Sequence, residues 1–478
     1  MTIRRLALAL LISAAGGAAF AQAPSPRAPT PAAAAPVAAS TSTFSTTLAL
    51  RDRALGDNTA WTILEELTTD IGGRPVGSPA MTRAKDWAIA KMHALGFENV
   101  RAEAFAKPSW VRGPESAELN TPYKTKLHVL GLGNSGSGQV TGEVVVFSSL
   151  ARLKMTSIDL KGKIVLVNQP MTRTQDGSGY GAAGAARFQG PSIAASKGAI
   201  GYLTRSISTA DVREPHTGST NWGPGVKPIP AGALGVPDAD LLERLSKRPG
   251  GKLPTITLSL LSSVDEKATA WNVVGDLRGS ERPNEMIVIG GHLDSWDPGQ
   301  GAIDDGAGVA ITAAVGKLIG DLPTHPKRTI RVVMFGSEET GGSSAAYLAA
   351  HKEEVPRIIL TGESDTGGDE IYDLRLPPGF ANDPRFLPVA DALASLKVFM
   401  SSADVGEAGS DVAGLQEAGV PAFGLSQDAS RYFDLHHSAS DTLDKVDPAK
   451  LAQNVAAWIT LIHFVADSDI DFRKPAQK

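Results

Sequence analysis

The chain has 478 residues, no cysteine, 20% charged residues and a formal net charge of −5. Its length exceeds one ordinary compact domain, so two domains or one large domain with an insert are expected. Interspersed charges leave no basic stripe for phosphate neutralisation, so a nucleic-acid partner is not expected, and without disulfides stability must come from a core, a metal or oligomerisation.

Residues 1–21 read as an export signal: Arg4 and Arg5 precede the apolar run LALALLISAAGGAAF, and Ala19-Phe20-Ala21 has the small-x-small form of a cleavage site. The run is shorter than the ~20 residues of a membrane span and no second one follows, so a periplasmic or secreted protein without a transmembrane segment in the mature chain is expected. Residues 22–43, dominated by Ala, Pro, Ser and Thr, read as a linker that buries too little apolar surface to order itself.

From residue 44 to 122 the pattern is first helical. WTILEELTTDI and MTRAKDWAIAKMHALGF repeat apolar residues every three or four positions, GGRPVGSP between them reads as a turn-rich loop, and Gly96 as a helix stop. Residues 123–259 form a mostly β insert, with strand-like KLHVLGL, GEVVVFSS, GKIVLVNQP and IGYLTRS and one helical patch, PSIAASKGA. Residues 260–478 return to an α/β texture: MIVIGGHLD and TIRVVMFGSEE are strands ending in acidic or histidine residues, and GVAITAAVGKLIGDL is a helix between them. The fold class is therefore α/β, a mainly parallel mixed sheet flanked by helices and interrupted by a mostly β insert, with chemistry at the strands' carboxyl ends.

The motif GLGNSG at 131–136 matches a dinucleotide fingerprint, but the following GSGQVTGEVVVF continues as loop and strand where that fingerprint requires a helix. No GxSxG elbow and no HExxH helix occurs. The stretch GGHLDSWDPGQGAIDDGAG offers more. His292 and Asp294 stand just past a strand, spaced so that the histidine can bind metal while the carboxylate orients its ring. Asp304-Asp305 opens a helix, where capping explains one acid. Capping does not explain Glu338-Glu339 after the next strand, or Asp365 after RIILTGESD. Carboxylates delivered to one sheet edge repel unless cations neutralise them. His436 and His437, with Asp441 nearby, supply further donors, and a sulfur-free set of histidines and carboxylates suits a pair of zinc ions, with manganese or cobalt as substitutes.

The blocks GGHLDSWDPGQGAIDDGAG, PKRTIRVVMFGSEETGG, ESDTGG, GSDVAGLQEAGVPAFGL and YFDLHHSASDT together resemble the M28 family of dinuclear zinc exopeptidases. The resemblance runs from about Leu64 to Pro448 and is greatest to the carboxypeptidase Q (plasma glutamate carboxypeptidase) branch, a likeness shared by PHTG at 215–218; the insert resembles a protease-associated domain. It implies that one zinc takes His292 and Asp365, that the other takes Glu339 and His437, and that Asp304 bridges them. It further implies Glu338 as general base, Asp294 and Asp441 as partners of the two ligand histidines, and Asp305 following the bridging residue across a peptide bond often cis in the family. His437 is chosen over His436 by the His-Ser/Thr-x-x-Asp-Thr pattern. His436, Ser410 and Asp411 are candidate substrate contacts, short peptides the implied substrates and a homodimer the suggested assembly. Residues 367–399 match the branch poorly. An aminopeptidase of the same family, a metal-dependent amidohydrolase acting on a non-peptide amide and a non-catalytic exported binding module stay open as alternatives.

Overall fold

In the computed structural model the described residues are 41–474 apart from 251, 404 and 407. The export segment expected at 1–21 and nearly all of the linker expected at 22–43 lie outside them; a helix begins at Thr41.

The described residues form three sheets. The first has five strands in the order Glu98–Ala106, Thr269–Leu277, Arg328–Phe335, Arg282–His292 and Ile358–Glu363. Arg282–His292 runs parallel to both of its neighbours, and the other two pairings are antiparallel. Every residue of Arg328–Phe335 and of Ile358–Glu363 is buried, as a sheet covered on both faces requires. Side-chain alternation assigns the faces: Ile287 and Ile289 join the large core under the helices Thr41–Ala54, Thr59–Glu66, Pro79–Ala94, Ala307–Gly320 and Pro448–Asp467. Val288 and Val333 face the opposite way, onto Tyr347 of helix Ser343–His351 and Leu415.

The helices follow their sequence signals. Ser78 Oγ accepts from Met81 N (3.0 Å) to cap Pro79–Ala94, and Gly96 takes φ 89° just beyond that helix. Asp447 caps Pro448–Asp467 by accepting from Ala449 N (2.8 Å), with proline at the tolerant first position. That helix is buried at every position from Leu451 to Ala466, so it runs through the core rather than along its surface.

Between the adjacent strands Glu98–Ala106 and Thr269–Leu277 the chain makes an eight-stranded sheet whose strands lie between Ser109 and Asp265. Its middle strands Gly138–Phe147, Ile164–Val167, Gly201–Arg205 and Ala231–Leu234 are parallel to one another. Helix Val236–Ser246 covers one face, and Leu150–Met155 and Gly179–Ser196 the other. The helix expected only over PSIAASKGA begins at Gly179: GYGAAGAARFQG is helical too, despite glycines of low propensity and Pro191 inside the element, because Ala183, Ala186 and Ala194 are buried there. The poorly matching segment 367–399 contributes Ile371–Arg375, the middle strand of a three-stranded sheet with Phe399–Met400 and Gly424–Gln427.

Trp458 is fully buried and packs edge-on against Phe423 (centroids 5.1 Å apart). Trp458→Ala should cost ~3–5 kcal/mol, read as a lower urea midpoint at unchanged slope.

Candidate metal centre

Three neighbouring parallel strands deliver the centre. His292 is the last residue of the central strand, Glu338 and Glu339 follow Phe335, and Asp365 follows Glu363. The strand-to-helix turn 302–306 brings Asp304 over the strand ends. The glycines flanking it are required by close approach. A Cβ on Gly308 would strike the Ser364 carbonyl, and one on Gly291 would stand 2.5 Å from Asp305 Oδ2.

Asp304 occupies the middle. Its Oδ1 lies 3.1 Å from His292 Nε2 and its Oδ2 3.1 Å from His437 Nε2. On the outer sides, His292 Nε2 is 3.2 Å from Asp365 Oδ1 and His437 Nε2 is 2.9 Å from Glu339 Oε2. The five residues therefore form a chain, Asp365–His292–Asp304–His437–Glu339, with both histidines presenting Nε2 inward. His436 stacks on His437 (centroids 3.5 Å apart) and comes only to 3.6 Å from Asp304.

The electrostatics show what this density of charge demands. Burial opposes ionisation of Asp304, yet hydrogen bonds from His292 and His437 hold it well below the usual carboxylate range. Burial likewise works against protonation of both histidines, but the charge of Asp365 on His292 and of Glu339 on His437 raises each well above its ordinary value. Glu338 is pushed up to about 8 by burial and then by the charges of Asp365 and Glu339; Glu339 is raised to about 7, mainly by burial. Protons on two imidazoles here do the neutralising that cations do at metal sites. Glu339 Oε1 is buried without a hydrogen-bond partner among the described residues, and the ligand atoms of His292, Asp304 and Glu339 lie within 4.8 Å of one another. A sulfur-free, inward-facing set of two histidines and three carboxylates fits divalent zinc.

The remaining acids bracket backbone. Asp305 Oδ2 accepts from His292 N and its Oδ1 from Gly308 N, both at 2.9 Å, and the Asp304-Asp305 peptide bond is cis. The Asp294 carboxylate accepts from Glu338 N (3.0 Å) and Glu339 N (3.3 Å); the His292 ring instead meets the Asp294 backbone carbonyl, Nδ1 to O 2.9 Å, with Asp294 Oδ1 at 3.6 Å. Asp441 Oδ1 accepts from Ala302 N and Ile303 N, both at 2.7 Å, and so holds the turn before Asp304. Burial raises it to about 7. The structure does not bring Asp441 to His437, whose Nδ1 lies 3.3 Å from the Thr217 carbonyl.

A cleft opens over the centre. Glu338 and Ser410 line it together. Opposite stand Tyr180, Arg187, Phe188 and Ser219 of the inserted segment, and Ser219 Oγ donates to the Glu339 carbonyl (2.9 Å). His436 faces the cleft among Tyr180, Tyr432 and Phe433. Asp411 does not line it: its carboxylate is buried and accepts from Ser343 Oγ.

Sequence reasoning missed Arg74, a fully buried guanidinium from the loop GGRPVGSP. It donates to the carbonyls of Leu293 (2.6 Å), Gln300 (2.7 Å), Gly301 (2.9 Å) and Gly72 (2.9 Å), so it pins the loop that carries Asp304. Burial lowers it to about 10 while Asp441 and the neighbouring acids hold it up. A lone arginine in a glycine-rich turn carries no periodicity that would mark it. Asp297, which has no evident role in the sequence, pairs with Arg112 of strand Ser109–Thr121 in the eight-stranded sheet (2.7 Å).

The profile of peptidase family M28 matches residues 272–462. Carboxypeptidase Q of Bos taurus is 33% identical over 418 residues, covering 86% of each chain, and carboxypeptidase Q of Xenopus laevis is 34% identical over 431 residues, covering 88% of each. A crystal structure of a peptidase M28 precursor from Shewanella amazonensis SB2B superposes with a TM-score of 0.87 at 38% identity, covering 91% of this chain and 99% of that one. An aminopeptidase from Aneurinibacillus sp. strain AM-1 shares the fold, with a TM-score of 0.63 at 21% identity over 90% of this chain and 98% of that one.

Removing the Arg74 guanidinium strands the Gly72, Leu293 and Gln300 carbonyls and leaves that of Gly301 with Gly306 N alone. Arg74→Met should cost ~3 kcal/mol or more in urea denaturation.

Proposed function

The chain belongs to peptidase family M28 and is a metallopeptidase that hydrolyses peptide bonds; on that premise we propose that it is an exported dinuclear zinc exopeptidase acting on dipeptides or short peptides. The observation that carries the dinuclear reading is Asp304, whose two oxygens each stand 3.1 Å from the inward nitrogen of a different histidine. One zinc would take His292 and Asp365, the other Glu339 and His437, with Asp304 shared. Zinc bound by these residues would supply Lewis-acid polarisation of the scissile carbonyl and acidify the attacking water.

The chain's own groups do the rest. Glu338 sits on the cleft wall with its backbone N–H held by Asp294. Burial and the charges of Asp365 and Glu339 raise its pKa; with those charges neutralised by cations, Glu338 would ionise, take a proton from the attacking water at Oε and return it to the leaving amine. Phe188 and Ser219 line the cleft on the side of the inserted segment, a wall that would favour short substrates. Export rests on the N-terminal signal pattern; among the described residues no helix is long and apolar enough to cross a membrane.

Three outcomes test this reading. Glu338→Ala should retain zinc by elemental analysis while kcat on dipeptides drops ~10²–10⁴-fold, the range of general acid–base catalysis. His292→Ala should lose metal as well as turnover. Because the raised histidines keep protons to higher pH than free imidazole and a proton on Nε2 excludes metal, zinc content after dialysis should fall as pH is lowered, with proton release on reloading. Full hydrolysis by a preparation shown to be metal-free would overturn the proposal.

A further inference from the structure

The two histidines of the centre are supported in different ways. His292 is self-contained: its Nδ1 meets the carbonyl of Asp294, two residues on in the same strand-end loop. His437 has no such local partner. Its ring and its main chain both lean on the inserted segment, where Thr217 O lies 3.3 Å from Nδ1 and Thr217 N donates to the His437 carbonyl (2.9 Å). His437 adopts φ 59°, a left-handed backbone that costs ~1–3 kcal/mol in a non-glycine residue and persists only where its surroundings impose it. The clamp by Thr217 is such an imposition.

Thr217 is itself fixed from three directions. Its Oγ1 donates to Gly131 O (2.7 Å) and accepts from Arg112 Nη2 (3.2 Å). Arg112 reaches on to Asp297 of the strand-end loop, Nε to Oδ2 2.7 Å and Nη2 to Oδ1 3.1 Å. The third tie is Arg187 from helix Gly179–Ser196. Its Nη1 donates to Thr217 O (3.0 Å), its Nη2 donates to the Tyr180 hydroxyl, and the guanidinium lies over the Tyr180 ring, 5.4 Å from the centroid. Gly218 makes room for it: at φ 131°, a Cβ there would strike the guanidinium. Arg187 is 7% exposed and has no carboxylate partner among the described residues; its buried guanidinium is shared between the Thr217 carbonyl and Tyr180.

Only one tautomer of His437 serves a metal. Nε2 must be bare, so Nδ1 carries the hydrogen, and of the two groups beside Nδ1 only the Thr217 carbonyl can accept it; Arg187 Nη1, 3.5 Å away, is a donor. We infer that the inserted segment completes one half of the metal centre: Thr217 fixes the ring of His437 for metal, and Arg187 is the positioning residue that holds the Thr217 carbonyl in place. Resting on the dinuclear reading above, this makes the two sites unequal, with the Glu339–His437 site coupled to docking of the inserted segment and the His292–Asp365 site independent of it.

The test is stepwise metal binding, not turnover. Apo full-length protein is titrated with zinc against a chelator of known affinity, and with cobalt followed by its visible absorption. The wild type should take up two ions. In Arg187→Met one of the two affinities should weaken ~10–100-fold, the usual cost of losing support behind a metal-ligating histidine, while the other holds. Arg187→Lys, which keeps a donor for the carbonyl, should recover part of the loss. Asp297→Asn, which lies outside the cleft lining and acts through Arg112 on Thr217, should shift the same site in the same direction by less, and it decides the matter if Arg187→Met does not fold. Two affinities unchanged, or both weakened alike, in a folded variant would overturn the inference and leave the peptidase reading standing. Uptake of fewer than two ions by the wild type would overturn the dinuclear reading and the inference together.

Discussion

The structure is organised around the cost of placing carboxylates side by side away from water. Asp304, Glu338, Glu339 and Asp365 converge where three parallel strands end. Buried like charges at such spacing are tolerable only with positive charge between them. His292 and His437 answer that demand by interleaving with the acids, and their elevated proton affinity measures how strong it is. A divalent cation answers it better, and the same alternation of donor atoms that serves protons serves metal.

Around this inner chain the outer acids follow one rule. Asp294, Asp305 and Asp441 each accept from two backbone N–H groups: those of Glu338 and Glu339, of His292 and Gly308, and of Ala302 and Ile303. Each bracket therefore fixes main chain at or beside a residue of the centre. Arg74 complements them by gathering carbonyls from the loop between the strand and the Asp304 turn. With donors and acceptors both accounted for, a loop rich in glycine becomes a rigid mount.

How much of this could be read from the sequence depended on whether a residue's partner was near in the chain. His292, Asp304, Glu339 and Asp365 stand out because they lie at or just past strand ends or open a helix, whereas His437, in the turn after helix Tyr432–Leu435, is singled out only by the family resemblance. Asp294 and Asp441 were recognisable as belonging to the site, but the groups they hold are backbone atoms 44 or 45 and 138 or 139 residues away, which no spacing encodes. The support for His437 comes from Thr217, 220 residues distant, and the helix that carries Arg187 was hidden by its glycines and its proline. Family membership is legible over most of the chain. The identity of residues that position other residues becomes legible only in three dimensions.

The inserted segment leaves and re-enters the five-stranded sheet at neighbouring points: Ala106 pairs with Thr269, and Lys107 N donates to Ala268 O at 3.0 Å. The chain is thus pinched to the width of an ordinary hairpin turn, and the entropic cost of a longer excursion between such ends grows only slowly with its length. Whole modules can be gained, lost or exchanged at that pinch without shifting the register of the strands that carry the ligands. Evolution can therefore redesign the rim of the cleft as a cassette, on the one condition that each replacement still presents a carbonyl to the His437 ring.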